Sequence, residues 1–412
     1  MQRPGLALTT ILASLFVAPS LTACADDPSG SDDELGDTGE TGDETGDTGD
    51  TGETGETGGT EDTGPPPFQE VYDQGLTQYL GTVEPSEVSE DGDTTTYHFA
   101  VEDGPSCIYG DPYHISDRPG SDGSGEDLLI YLQGGGACWS ETCVTTQTAS
   151  WGVPENGMLN RGLAGNPFAD WDVVFFPYCD GSVFMGDNDF DEDMDGEVDR
   201  YHRGIRNLSA GLDVAKLRYP APSRVVLAGS SAGSYGVHVA NMLVRAQWPS
   251  VEIIVVADAG LGLGRPEEPE FLSDVFGEWG TLKYLPASCP ECDDTHITKL
   301  VDWQLRQDPN MRFVALTAYQ DAVIGGFFLA LGGAVYEQLL NDEIAWLAGQ
   351  HPDRYDRFFF EGALHTVTSN DSMNNDSAVA SFFDTTIIDG VSAMQWMTML
   401  LEGDPAFDDL LQ

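Results

Sequence analysis

Ser231 sits at the centre of Gly229-Ser-Ser-Ala-Gly233, directly after the apolar run Val225-Val-Leu227 and before a helical-looking stretch at residues 237–244. Gly-x-Ser-x-Gly between a strand and a helix is the pattern of a nucleophile elbow, a sharp turn that lifts a serine hydroxyl above a sheet edge. A serine hydroxyl is a weak nucleophile at neutral pH, so it needs a base, and the base needs an orienting carboxylate. In elbow hydrolases these follow in the chain order Ser, Asp or Glu, His. His365 follows a Phe-rich strand and lies among small and polar residues, as a base at a strand end should. His351, in His-Pro-Asp-Arg, reads as a surface loop at a helix end, and His296 reads as an exposed residue of a polar Cys-rich loop. Asp321 ends the strand before the one that leads to His365 and is the expected acid; Asp258, also at a strand end, is the reserve.

Acyl transfer builds negative charge on a carbonyl oxygen, which calls for preorganised N–H donors. The N–H of Ala232, directly after the nucleophile, supplies one. The glycine run Gly134-Gly-Gly136, at the exit of an early strand, supplies the others through Gly135 and Gly136, because glycine permits close backbone approach.

The elements that must carry these residues follow from the apolar runs. Residues 127–132, 171–176, 224–228, 251–256, 311–318 and 357–360 read as short buried strands separated by helical patterns. That alternation predicts an α/β fold of the α/β-hydrolase kind: a mostly parallel central sheet flanked by helices, with loop insertions. In such sheets chemistry sits beyond the carboxyl ends of the strands, where the candidate residues fall.

Three segments are expected along the 412 residues. Residues 1–24 have a short basic start, an apolar stretch and Leu21-Thr-Ala-Cys24, the form of a bacterial lipoprotein leader whose Cys24 takes the lipid. Ala25, rather than an aspartate, follows the cysteine, which favours the outer membrane or cell surface of an exported lipoprotein. Residues 25–67 hold fifteen acids, no Lys or Arg, and Leu35 as the one large aliphatic side chain. They cannot bury enough surface to offset ordering entropy and are expected to form an extended acidic tether. Residues 68–412, with 16 basic and 55 acidic side chains, are the catalytic domain. A balance of −39 there repels nucleic acid and anionic lipid surfaces, so membrane contact is expected through the N-terminal lipid alone, and the protein is expected to be a monomer.

Besides Cys24 there are six cysteines: Cys107, Cys138, Cys143, Cys179, Cys289 and Cys292. An even number in an exported chain points to disulfides. Short loop closures would join Cys138 to Cys143 and Cys289 to Cys292, leaving Cys107 for Cys179, although six cysteines allow fifteen pairings. A zinc site is the alternative, but the spacing does not give two clean Cys-x-x-Cys pairs. Catalysis by a serine triad requires no cofactor. The acidic insert offers Asp191, Asp193, Asp195 and Asp199 with Gly196 at the turn, a spacing that suits a structural calcium, although His202 replaces the Glu of a complete EF-hand loop.

From Cys107 to His365 the chain resembles the pectin acetylesterase/Notum family. Leu132-Gln-Gly-Gly-Gly-Ala-Cys138 is similar to its Leu-Glu-Gly-Gly-Gly-Trp-Cys segment, and Asn166-Pro with Tyr178-Cys-Asp-Gly-Ser182 to its Asn-Pro and Tyr-Cys-Asp-Gly elements. Arg203-Gly204, the elbow, Asp258-Ala-Gly260, Ala318-Tyr-Gln-Asp321 and His365 follow in family order, and the elbow match selects Ser231 over Ser230. The resemblance implies a Ser-Asp-His carboxylesterase that removes acetyl groups from pectin, or, in animals, a palmitoleoyl group from a secreted protein. Two departures stand out: Ala137 replaces the family tryptophan, with Trp139 nearby, and the histidine segment lacks the Cys-His-x-His-Cys pattern. The expected activity is deacetylation of an extracellular polysaccharide such as pectin. A lipid or fatty-acyl esterase is the first alternative, and an inactive glycan-binding lipoprotein the second.

Overall fold

A computed structural model describes residues 66–121, 123, 125–293, 295–369 and 381–412. The expected leader with Cys24, and the expected tether up to residue 65, lie outside the described residues.

Ten strands form one sheet: β1 Glu87–Asp91, β2 Thr94–His98, β3 His114–Arg118, β4 Asp127–Leu132, β5 Asp172–Phe176, β6 Arg224–Ser230, β7 Glu252–Asp258, β8 Met311–Ala318, β9 Tyr355–Phe360 and β10 Leu410–Leu411. The spatial order is β1-β2-β3-β5-β4-β6-β7-β8-β9-β10. From β5 to β10 every neighbouring pair is parallel, and β1, β2 and β3 add an antiparallel edge. The mostly parallel α/β architecture is therefore as expected, and the antiparallel edge is an addition. The apolar runs that mark β4 and β6 to β8 are buried on both faces, which is why they lack alternation. Leu128, Ile130 and Leu132 join Val225 and Leu227 in one core, whereas Leu129 and Tyr131 join Val226 and Ala228 in the other.

Helices α1 Gly204–Arg218, α2 Ala232–Gln247, α3 Phe271–Trp279 and α4 Thr298–Gln307 contribute Leu208, Val239, Phe276 and Leu300 to the first core. Helix α5, Ala393–Glu402, covers the opposite face with Trp396 and Met397. Each fully buried aliphatic side chain of this kind contributes roughly 1.5–3 kcal/mol. Among the described residues, no single helix is long and apolar enough to cross a membrane.

All six described cysteines are paired, Cys107 with Cys179, Cys138 with Cys143, and Cys289 with Cys292. That disulfide content belongs to an oxidising compartment, and it removes the zinc alternative for these thiols.

Candidate active site

The elbow is built by close approach. Ser230 ends β6 and α2 begins at Ala232, so Ser231 alone makes the turn, with φ 54° and ψ −115°. A non-glycine residue held there stores about 1–3 kcal/mol of backbone strain. The flanking glycines allow it: a Cβ on Gly229 would lie 2.2 Å from the Gly233 carbonyl oxygen, and one on Gly233 would lie 2.1 Å from that of Leu132. Ser231 donates its N–H to the Asp258 carbonyl at 2.9 Å, which ties the turn to the end of β7. Ser231 is buried, with 8% of its surface exposed.

Asp321 and His365 meet because the loops after β8 and β9 are zipped together. Tyr319 N–H donates to the Phe360 carbonyl, Gln320 N–H to Gly362, and Ala322 N–H to Ala363. Asp321 also caps the π-helical segment Ala322–Phe328: its Oδ1 accepts from Val323 N–H at 2.8 Å and Ile324 N–H at 2.9 Å. Oδ2 then faces His365 Nδ1 at 2.8 Å. A carboxylate can only accept, so Nδ1 donates, which in the neutral ring leaves the lone pair on Nε2.

Asp258 does something else. Its Oδ2 accepts from Val367 N–H at 2.8 Å, Thr368 N–H at 2.7 Å and Thr368 Oγ1 at 2.7 Å. These bonds pin the segment directly after His365 to the end of β7, beside the elbow. Ser369 Oγ adds a 3.0 Å hydrogen bond to Ser230 Oγ. Complete burial pushes the Asp258 carboxyl up to about 6, against the pull of its hydrogen bonds and of nearby His365. The reserve acid is thus a structural pin of the histidine loop, a role that sequence reasoning missed.

The other two histidines depart from expectation. His351 is buried rather than on the surface, because Asp302 Oδ1 of α4 lies 2.8 Å from its Nε2. His296 is half-buried, and its Nδ1 accepts the Gly264 N–H at 2.9 Å.

The glycine run lies against the same turn. The close contact of Gly233 with the Leu132 and Gln133 carbonyls sets the glycine run against the start of α2. Gly135 accepts from Thr146 N–H, and Gly136 opens a hairpin of Gly136–Trp139 with Thr142–Thr145. Among the described residues, the N–H groups of Gly135 and Ala232 meet no acceptor. That is the ordinary condition of a first helical N–H such as that of Ala232.

An aromatic wall stands next to these groups. Trp139 packs edge-on against Phe271 at 5.8 Å and Phe328 at 5.7 Å. Phe328 in turn lies 5.4 Å from Tyr235, one helical turn beyond Ser231. Trp139 thus supplies a buried indole although Ala137 carries none.

In the acidic insert, Asp191, Asp193 and Asp195 offer oxygens within 4.8 Å of one another. Their carboxylates accept from Asp195, Gly196 and Glu197 N–H groups. Asp199 is not among the three; its Oδ2 accepts from Glu192 N–H at 2.8 Å. His202, at the twelfth position, is buried, and its Nδ1 lies 3.3 Å from the Asp180 carbonyl oxygen.

The family model described as Pectinacetylesterase matches residues 86–298, slightly more than half of the chain. Similar proteins from Arabidopsis thaliana include pectin acetylesterase 11, 28% identical over 211 residues, and pectin acetylesterase 4, 28% identical over 210 residues. Each alignment covers 46% of this chain and respectively 52% and 50% of the relative. The chain therefore spans about half the length of the curated relatives it matches. The family match includes the glycine run and the elbow and stops before Asp321 and His365, whose pairing rests on the geometry above.

Proposed function

Because the chain belongs to the pectinacetylesterase family, we propose that it is a serine carboxylesterase that deacetylates an extracellular polysaccharide such as pectin. The observation that carries this reading is the Asp321–His365 pair, pinned through Asp258 and Ser230 beside a strained elbow serine. Ser231 Oγ attacks the acetyl carbonyl carbon while its proton passes to His365 Nε2. Asp321 holds the imidazole in the required tautomer and stabilises the imidazolium. The oxyanion accepts from Ala232 N–H and from the Gly135–Gly136 segment, and each such donor contributes about 10²–10³ in rate. Collapse expels the sugar oxygen, which takes the proton back from His365. Water then attacks the acetyl-enzyme by the same route and releases acetate.

The wall of Trp139, Phe271 and Phe328 borders the acyl side. The absence of an indole at Ala137 keeps a longer fatty-acyl substrate as the second reading. Hydrolysis of p-nitrophenyl acetate and of acetylated pectin by the protein, beside Ser231→Ala, tests the main one. Activity on both that vanishes in the variant supports it; equal rates for the two proteins overturn the nucleophile assignment. A p-nitrophenyl acyl-length series with its maximum at long chains would favour the fatty-acyl reading instead. In this proposal the protein is lipid-anchored through Cys24 at the outer membrane or cell surface, and the Asp191, Asp193 and Asp195 loop holds a structural calcium.

A further inference from the structure

Trp151 is 71% exposed, yet its indole is not free to wander. It packs at 4.7 Å on the ring of His114, with 31° between planes, and at 5.1 Å on that of His98. Both imidazoles are themselves held: His114 Nε2 lies 2.9 Å from the Ser150 carbonyl oxygen, and His98 Nε2 lies 3.0 Å from Ser89 Oγ. One side of the indole is therefore backed by rings, and the remainder faces water. Single exposed apolar residues are ordinary. A tryptophan stacked on two fixed imidazoles, in a loop joined to the oxyanion segment, is not an ordinary one.

The joint is specific. Ser150 Oγ donates to Gln133 Oε1 at 3.0 Å, and Thr146 N–H donates to the Gly135 carbonyl at 2.7 Å. Gln133 and Gly135 belong to the run that packs against Gly233 of the elbow. The register agrees: β3 is antiparallel to β5 with Ser116 opposite Phe175, so His114, at the start of β3, lies at the carboxyl end of the parallel strands. That is the edge on which Ser231 stands. Between β3 and β6 lie β5 and β4, so strand spacing sets the strand of His114 about 15 Å from the elbow strand. This is too far to touch the ester and near enough to touch the same polymer.

We propose that Trp151 is a stacking platform for an uncharged pyranose ring of the acetylated polysaccharide, a few sugars along from the scissile ester. The inference rests on the esterase reading for the identity of the polymer. One face of a pyranose presents C–H bonds that complement the negative face of an indole. The backing imidazoles preorganise that face, so little freedom is lost on binding. The charge pattern selects an uncharged ring: residues 119–160, which include the glycine run, the hairpin and Trp151, contain no Lys or Arg. Along that stretch a free uronate would find no Lys or Arg, and it would meet the field of residues 68–412, with 16 basic and 55 acidic side chains. The preferred glycans are neutral ones, including pectin whose carboxylates are methyl-esterified.

The test uses the whole protein with acetylated xylan, acetylated glucomannan and fully methyl-esterified acetylated pectin. Trp151→Ala should raise KM on the hydrolysed polymer about ten-fold. It should also lower the ratio of kcat/KM on polymer to that on p-nitrophenyl acetate by about the same factor, with Trp151→Phe restoring most of it. An unchanged ratio overturns the proposal. A second measurement is independent of turnover: the intrinsic fluorescence of Ser231→Ala is titrated with oligosaccharides of the three glycans and with polygalacturonate. A response to a neutral oligosaccharide that Trp151→Phe abolishes upholds the platform, even if no ester is hydrolysed and the esterase reading fails. No response to any neutral oligosaccharide, or polygalacturonate binding as tightly as the neutral ones at low salt, overturns it.

Discussion

The two strand-end aspartates give opposite signatures when each is replaced by asparagine. In Asp321→Asn the amide oxygen can keep the cap on Val323 and Ile324 N–H, which Oδ1 now accepts at 2.8 and 2.9 Å. The amide nitrogen must then face His365 Nδ1, and two donors cannot share that contact. His365 rotates or changes tautomer, Nε2 loses its lone pair toward Ser231, and kcat falls by about 10⁴ while the melting temperature barely moves. In Asp258→Asn the amide oxygen can keep the Oδ2 position and its three donors. The nitrogen then opposes Val367 N–H, which lies 3.1 Å from Oδ1. One buried donor facing another costs about 1–3 kcal/mol of stability. The base is displaced only slightly, so kcat falls about ten-fold. Paired measurements of kcat on p-nitrophenyl acetate and of thermal unfolding check this. If Asp258→Asn loses 10⁴ in kcat and Asp321→Asn does not, the assignment of acid and pin is reversed and the argument from geometry is wrong.

Four further outcomes follow from the same structure. Burial holds the His238 imidazole down at about 4, whereas in the unfolded chain it titrates near 6.5. The unfolded state therefore binds the extra proton first, and about 3 kcal/mol of stability is lost as pH falls from 6.5 to 4. His238→Gln should lessen the fall in melting temperature over that window, while His202, also held down at about 4 by burial, keeps its own share; an unchanged slope would refute the assignment. Gly233→Ala should cost about 3 kcal/mol and most of the activity, because its Cβ meets the Leu132 carbonyl. Gly349→Ala, in the helical segment Ala345–Gln350 with open space at its Cβ, should stabilise by up to about 1 kcal/mol; denaturant melts compare the two. Calcium should raise the melting temperature relative to chelator, and Asp193→Asn should remove the difference; identical melts in calcium and chelator argue against the ion.

The elbow was legible because its steric demands leave few choices: only glycines fit against the Gly233 and Leu132 carbonyls, so the turn writes itself into the sequence. Asp321 and His365 were legible through strand ends, since apolar runs as dense as 311–318 mark where a buried strand stops. The partners of Asp258 were hidden because Val367 and Thr368 lie more than a hundred residues away, and only the strand order brings them together. The edge strands β1 to β3 escaped notice for another reason. Thr94-Thr-Thr-Tyr-His98 is polar although Thr96 and Tyr97 are buried, and His114-Ile-Ser-Asp-Arg118 is polar although buried throughout, so neither carries the apolar signal that marked the interior. His351 misled because His-Pro looks like a turn, whereas the ring is claimed by a carboxylate from a different helix.

The backbone of Ser231 has a consequence for anyone improving this protein. At φ 54° only glycine is at ease, so Ser231→Gly would release much of the strain held in the turn, on the order of 1–3 kcal/mol. Selection for thermal tolerance alone would favour loss of the proposed nucleophile. A library screened by heat and expression would drift toward robust, silent variants, and a turnover readout has to accompany every round.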